Sequence, residues 1–178
     1  MSSAEGNLTW VPASEGTAEL AAPVAAAITG GAVPSAKVAV IDPELADTAA
    51  FCDRYDVDPA ASANCVVVRA RRGETERQVA VMVLATDRAD INKTVRKHLG
   101  VRKVGFSAQP DTEAATGMTS GGITPVGLPD DWPVLVDTAV AESELVVIGG
   151  GVRGSKLLVP GSELAQLPRA EVLDLRVS

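Results

Sequence analysis

The 178-residue sequence predicts a single α+β domain, with hairpins and helices set around a mixed sheet. Three observations point there. The length suits one domain with a sizeable core and is short for two. Apolar residues make up 46% of the chain and aromatics only 3%, so the core is built from Val, Ala, Leu and Ile, small or β-branched side chains that suit close sheet packing. Short strand signals alternate with short helical ones through the middle of the chain and then crowd together in its last third.

Residues 17–28, TAELAAPVAAAI, predict an alanine-rich amphipathic helix that runs through Pro23 and stops at GGAVP. Residues 1–34 are read as a helical extension packed on a main domain of residues 35–178. KVAVID, residues 37–42, predicts a strand that ends at Asp42, a fair N-cap for a helix reaching about Tyr55 with Pro43 at its first position. Asn64 to Arg69 and Arg77 to Ala85 predict an antiparallel pair joined by ARRGETE. In residues 90–100, Ile91, Val95 and Leu99 recur every fourth residue between Asp90 as cap and Gly100 as stop, which predicts a helix. Lys103 to Ser107 predicts a strand and residues 109–117 a short helix closed by Gly117. After a glycine-rich loop, WPVLVD, ELVVIG, SKLLVP and AEVLDL give four more strand signals.

The net charge of −7 excludes a protein that holds nucleic acid by its overall field. A local basic stretch, NKTVRKHLGVRK, nevertheless gathers Lys93, Arg96, Lys97, Arg102 and Lys103, with Lys93 and Lys97 on one helical face and Arg96 beside Lys93. A solvated surface is its plain reading and a nucleic-acid contact its sharper one. The N-terminus has no basic segment followed by an apolar one, and no run approaches the roughly 18 apolar residues of a membrane span. A soluble, cytoplasmic protein without membrane attachment is expected. Two cysteines outside any CxxC spacing and one histidine suggest neither a metal site nor a disulfide framework, and Cys52 and Cys65 read as small core residues. His98 reads as a solvated side chain.

Gly149, Gly151 and Gly154 satisfy GxGxxG after a strand signal. A dinucleotide site needs a helix to begin there so that its amides face a pyrophosphate, whereas SKLLVPG is short, β-leaning and ended by proline. A glycine-rich hairpin or pocket loop is the better reading. GMTSGGITPVGLP, residues 117–129, is a second cluster, combining positive-φ freedom with proline rigidity in a loop that can bring backbone groups up to a ligand.

TGMTSGGITPVG, followed by PVLVD, VVIGGGVRGSKLLV and PGSELAQL in that order, resembles the YbaK/ProX family of editing domains associated with aminoacyl-tRNA synthetases, over roughly residues 35–175. The resemblance implies a small α+β domain with a mixed, mostly antiparallel sheet. It implies hydrolysis, in trans, of the ester of a tRNA mischarged with a small amino acid, and no metal or cofactor. Its partners would be the aminoacylated acceptor end of the tRNA and an aminoacyl-tRNA synthetase. Gly121 and Gly122 would supply backbone contacts to the reactants, and Gly117, Ile123, Thr124, Pro125, Gly127 and Gly151 would line the substrate pocket. Active members carry a lysine where the hairpin alignment places Asn64 and an alignment shifted by one residue places Ala63, so under either the lysine is absent. An amide there keeps donors and an acceptor but no charge, and a missing preorganised donor costs roughly 10²- to 10³-fold in rate. Asn64 would orient substrate in a weak deacylase, or mark a non-catalytic module that binds an aminoacyl or adenosine ligand or a protein partner. Its alternative is a tie at a strand end. Asp137 is read equally as a helix cap and as the group holding the substrate's amino function, while Lys93, Arg96, Lys97, Arg153 and Lys156 are weak candidates for tRNA contact, with an exposed loop charge the simpler view of the last two. Cys65 is not expected to act as a nucleophile, since alternation would turn it away from Asn64.

Overall fold

The structure is a computed structural model that describes residues 3–177. Two sheets carry it. The first is antiparallel, in the order β1 (Val11–Pro12), β2 (Lys37–Val40), β8 (Ser155–Val159), β7 (Val146–Gly149). The second runs β5 (Lys103–Phe106), β3 (Ala63–Arg72), β4 (Thr75–Leu84), β6 (Val134–Asp137), β9 (Ala170–Leu173), with β4–β6 and β6–β9 parallel and the other two pairs antiparallel. The α+β class and the predominance of antiparallel pairing are as the sequence predicts, with the strands divided between two sheets.

Strand alternation sorts the core. In β4, Ala80, Met82 and Leu84 face inward and pack with Val38, Ile148, Leu157 and Val159 of the first sheet, while Val79, Val81 and Val83 pack on the opposite face with Ile91, Val95 and Leu175. A third cluster, Phe51, Cys52, Val147 and Leu158, covers the outer face of the first sheet. Strands covered on both faces read as continuous apolar runs, which is why VVIG and SKLLV carry so little polar character.

The helices depart from the sequence expectation where prolines and caps intervene. Residues 17–19 form a 3₁₀ turn, and α1 starts only at Ala22 (Ala22–Thr29), because Pro23 opens a helix more readily than it continues one. The helix expected from Asp42 is broken as well: Asp42 Oδ1 accepts from Glu44 N at 3.0 Å to cap a single 3₁₀ turn, and α2 (Thr48–Tyr55) begins afresh after Asp47. The β3–β4 hairpin is longer than predicted and turns on Gly73 and Glu74 alone, with Gly73 at φ +62°. Residues 91–95 are π-helical and pass into α3 (Arg96–Leu99), with Asp90 capping and Gly100 at φ +65° stopping it as expected. Helix α4 (Gln109–Thr116) ends at Gly117 with φ +70°. Two short helices, α5 (Thr138–Ala141) and α6 (Gly161–Leu164), complete the crossover from β6 to β9. No helix among the described residues is long and apolar enough to cross a membrane.

The segment ahead of β2 is not peripheral. Leu20, Ala21, Val24 and Ile28 belong to the central cluster, and Ala21 N donates to Gly150 O at 3.1 Å.

Candidate functional site

A cavity of about 430 Å³ opens where the two sheets part. Just ahead of β3, Ser62 bridges to Val147 of the first sheet, and on the edge away from β4 the strand next gains a ladder partner at Val68, opposite Phe106 of β5. Between those points its outer edge has no ladder partner among the described residues, and Ala63 to Val67 form one wall of the cavity. Ala46, Asp47 and Thr48, from the break before α2, make the second wall, and Ser120, Gly121 and Ile123 the third. Gly149 and Lys156 line it from β7 and β8.

Asn64 therefore faces the glycine loop, as its candidacy requires. Its Oδ1 accepts from Thr48 Oγ1 at 2.7 Å, and its amide nitrogen has no protein acceptor among the described residues. Cys65 borders the same cavity but packs with Met82 in the central cluster, whereas Val83, the cross-strand partner of Asn64, packs on the opposite face, so alternation turns the two side chains apart as expected. Burial pushes the Cys65 thiol up to about 12, so it remains protonated and unreactive.

The two glycine clusters prove to be one structure, packed backbone on backbone. Gly151 N donates to Gly122 O at 2.7 Å, and Thr119 N to Gly151 O at 2.9 Å. A Cβ on Gly122 would stand 2.4 Å from Val152 O, and one on Gly149 would stand 2.5 Å from Gly122 O. The GxGxxG match is thus a β7–β8 hairpin turn that seats the loop. With Gly122 occupied in this way, the N–H groups of Gly121 and Ile123 are left without protein acceptors among the described residues.

Other candidates lie elsewhere. Thr124 and Pro125 are buried and do not line the cavity, and Gly127, at φ +86°, fits against Pro23 O, where a Cβ would come within 2.5 Å. Gly117 serves as the stop of α4, and Gly151 backs the loop from behind. Asp137 is 0% exposed and outside the cavity; its carboxylate accepts from Ala139 N at 3.1 Å and from Leu175 N at 2.8 Å. Of its two readings the cap is the one with geometry, and the amino-group role has none, because both oxygens are used within the fold. Arg153 is a strut rather than a loose loop charge: Nε donates to Pro43 O at 3.0 Å and an Nη to Ser120 O at 3.2 Å, tying two cavity walls together.

Lys156 departs furthest from its sequence reading. It is 7% exposed rather than a loop charge, and its Nζ donates to Ala46 O at 3.1 Å and lies 4.9 Å from the Phe51 ring centre. Burial pulls its ammonium from 10.5 down to about 8, while the Cys52 thiol and Asp47 oppose that shift and Arg153 adds to it. The folded state thus holds fewer protons than the unfolded chain between about pH 8 and 10.5, and stability rises with pH across that window. Thermal melts should show the wild type gaining on Lys156→Met between those values; a constant difference would mean the ammonium is not shielded from water.

Beside the cavity runs a basic groove in which Arg69, Arg71, Arg96, Arg102 and Lys103 outnumber one carboxylate, Glu76. Cavity and groove meet at Phe106, 72% exposed. Of the helical lysines, Lys93 and Lys97 are exposed but outside the groove. Sequence reading missed Thr48 and Phe106. Thr48 had no signal, whereas Phe106, a rare aromatic ending a basic strand, had one.

These features define an α+β domain with a pocket of small-ligand size between two sheets and a cationic approach to it. The family model of the aminoacyl-tRNA editing domain matches residues 42–167, and the chain belongs to that family. A crystal structure described as a candidate trans-editing enzyme for prolyl-tRNA synthetase is similar with a TM-score of 0.76 and 20% identity, over 89% of this chain and 97% of that one. A hypothetical protein of known structure matches with a TM-score of 0.76 and 21% identity, over 87% and 99%. A candidate signal transduction protein from Marinobacter aquaeolei VT8 matches with a TM-score of 0.62 and 20% identity, over 90% of this chain and 31% of that longer one.

Proposed function

We propose that the protein hydrolyses, in trans, the ester joining a small amino acid to the 3′-terminal adenosine of a mischarged tRNA, in the cytoplasm where charged tRNA is made. The observation that carries this reading is the junction at Phe106, where a pocket sized for an aminoacyl group meets a groove that suits the phosphates of its polynucleotide carrier. Water adds to the ester carbonyl carbon, the carbon–oxygen bond to the ribose breaks, and the ribose oxygen takes up a proton. The products are the free amino acid and an intact 3′ end. The free N–H groups of Gly121 and Ile123 suit the carbonyl oxygen, and Asn64, with an amide nitrogen to spare, orients the acyl group. The family membership and the fold shared with a candidate prolyl-tRNA trans-editing enzyme support the same reaction.

A panel of tRNAs mischarged with small amino acids is the test. Turnover is expected for at least one of them, and Asn64→Ala, losing one hydrogen bond to substrate, should slow it by roughly 3- to 10-fold. Binding of an aminoacyl-tRNA without release of amino acid across the whole panel would instead favour the non-catalytic module that an uncharged residue at position 64 first suggested.

A further inference from the structure

We propose that Lys156 is the cation of the cavity and holds the carbonyl oxygen of the bound ester as it becomes anionic. This inference rests on the hydrolytic reading above.

Its position is unusual for a lysine. Ser155, Leu157, Leu158 and Val159, its neighbours in β8, are all buried, and Lys156 shares the face of Leu158 beneath α2. Burying an ammonium without a counter-charge is costly. Among the described residues no carboxylate lies within 4 Å of it. The charged or titratable groups facing it are the Cys52 thiol on α2, Asp47 ahead of α2 and Arg153 from the β7–β8 turn. Asp47 is turned outward, its side chain 81% exposed and 3.7 Å from Arg153. Of the three ammonium donors one is used, by Ala46 O, so two are left at the wall of a cavity that also holds Asn64 and Gly121. Such a group needs an oxygen carrying negative charge.

The place in the site decides which oxygen. Phosphates of the carrier meet five cations in the open groove, before the cavity begins. Lys156 is the one cation lining the cavity among the described residues, on the strand beside Gly149, where an added Cβ would stand 2.5 Å from Gly122 O under the loop. That depth corresponds to the acyl end. As water adds, the carbonyl π electrons move to oxygen and are met by the ammonium together with a loop N–H. Collapse returns them and expels the ribose oxygen, and the ammonium keeps its protons throughout.

The test is single-turnover hydrolysis of the mischarged tRNA that the wild type cleaves, compared with Lys156→Met, whose apolar chain fills the same space, and Lys156→Gln, which keeps a donor without charge. Thermal melts and circular dichroism check that each variant is folded. The rate constant should fall by roughly 10²- to 10³-fold in Lys156→Met, less in Lys156→Gln, while the tRNA concentration giving half-maximal rate changes little. Above background hydrolysis, the wild-type rate should decline as pH rises through about 8, and the residual Lys156→Met rate should lack that step. A folded Lys156→Met with wild-type rate and pH profile overturns the assignment and leaves the hydrolytic reading intact. A fall confined to tRNA affinity also overturns it, and assigns the lysine to the polynucleotide. A wild type that cleaves no mischarged tRNA overturns both.

Discussion

Gly122→Ala should cut turnover of a mischarged tRNA by roughly 10²-fold or more, the cost of displacing positioning groups by about an ångström. The added Cβ would lie 2.4, 2.5 and 2.7 Å from O, C and N of Val152, all backbone atoms of the turn beneath the loop. No rotamer change relieves a contact with backbone. The loop must lift, which breaks the 2.7 Å bond from Gly151 N to Gly122 O and moves the free N–H groups on either side of Gly122. Overpacking of this kind also costs about 1–3 kcal/mol of stability. Gly105→Ala is the control, since a Cβ at Gly105 meets nothing within 4 Å, and it should leave stability within about 0.5 kcal/mol of wild type. Rates of Gly122→Ala close to those of the wild type would show that the loop backbone does not place the reactants.

Asp137→Ala should be the most destabilising of the substitutions considered, by about 3–5 kcal/mol, because it removes two backbone hydrogen bonds to a fully buried carboxylate and leaves both donors unmatched. For a chain of this size the melting temperature should fall on the order of 10 °C. One bond caps α5 and the other holds Leu175, whose side chain packs with Val79, Val81 and Val83 of β4, so chain beyond β9 should loosen first and exchange its amide hydrogens faster. Turnover per folded molecule, measured well below the melt, should stay at the wild-type level. A selective loss of activity against esters with a free amino group, with stability unchanged, would return Asp137 to the substrate.

These two residues illustrate what a sequence discloses. Asp137 was legible as a cap because capping is local: an aspartate, then a helix start. Its second partner, Leu175, is remote in the chain and could not be read. Gly121 and Gly122 were legible as a loop with bare backbone, yet the reason for the neighbouring glycines is the β7–β8 turn on which the loop rests, a contact between two motifs that looked separate. The two-residue β1 carried no apolar run, but from β2 onward strand identities followed from such runs, and the hairpin from its charges and glycine. The division into two sheets did not, because it depends on where β3 loses and regains a partner. Lys156 was the largest misreading. Next to a glycine turn it looked solvated, although a lone lysine inside five buried strand positions was itself the available warning.

The contact between α1 and the loop bears on where the working unit begins. Pro23 O lies where a side chain on Gly127 would be, Ala21 fills the space behind Gly151, and both belong to chain that precedes the family match at residues 42–167. Transplanting only the matched stretch into another protein would carry over the cavity lining and leave its foundation behind.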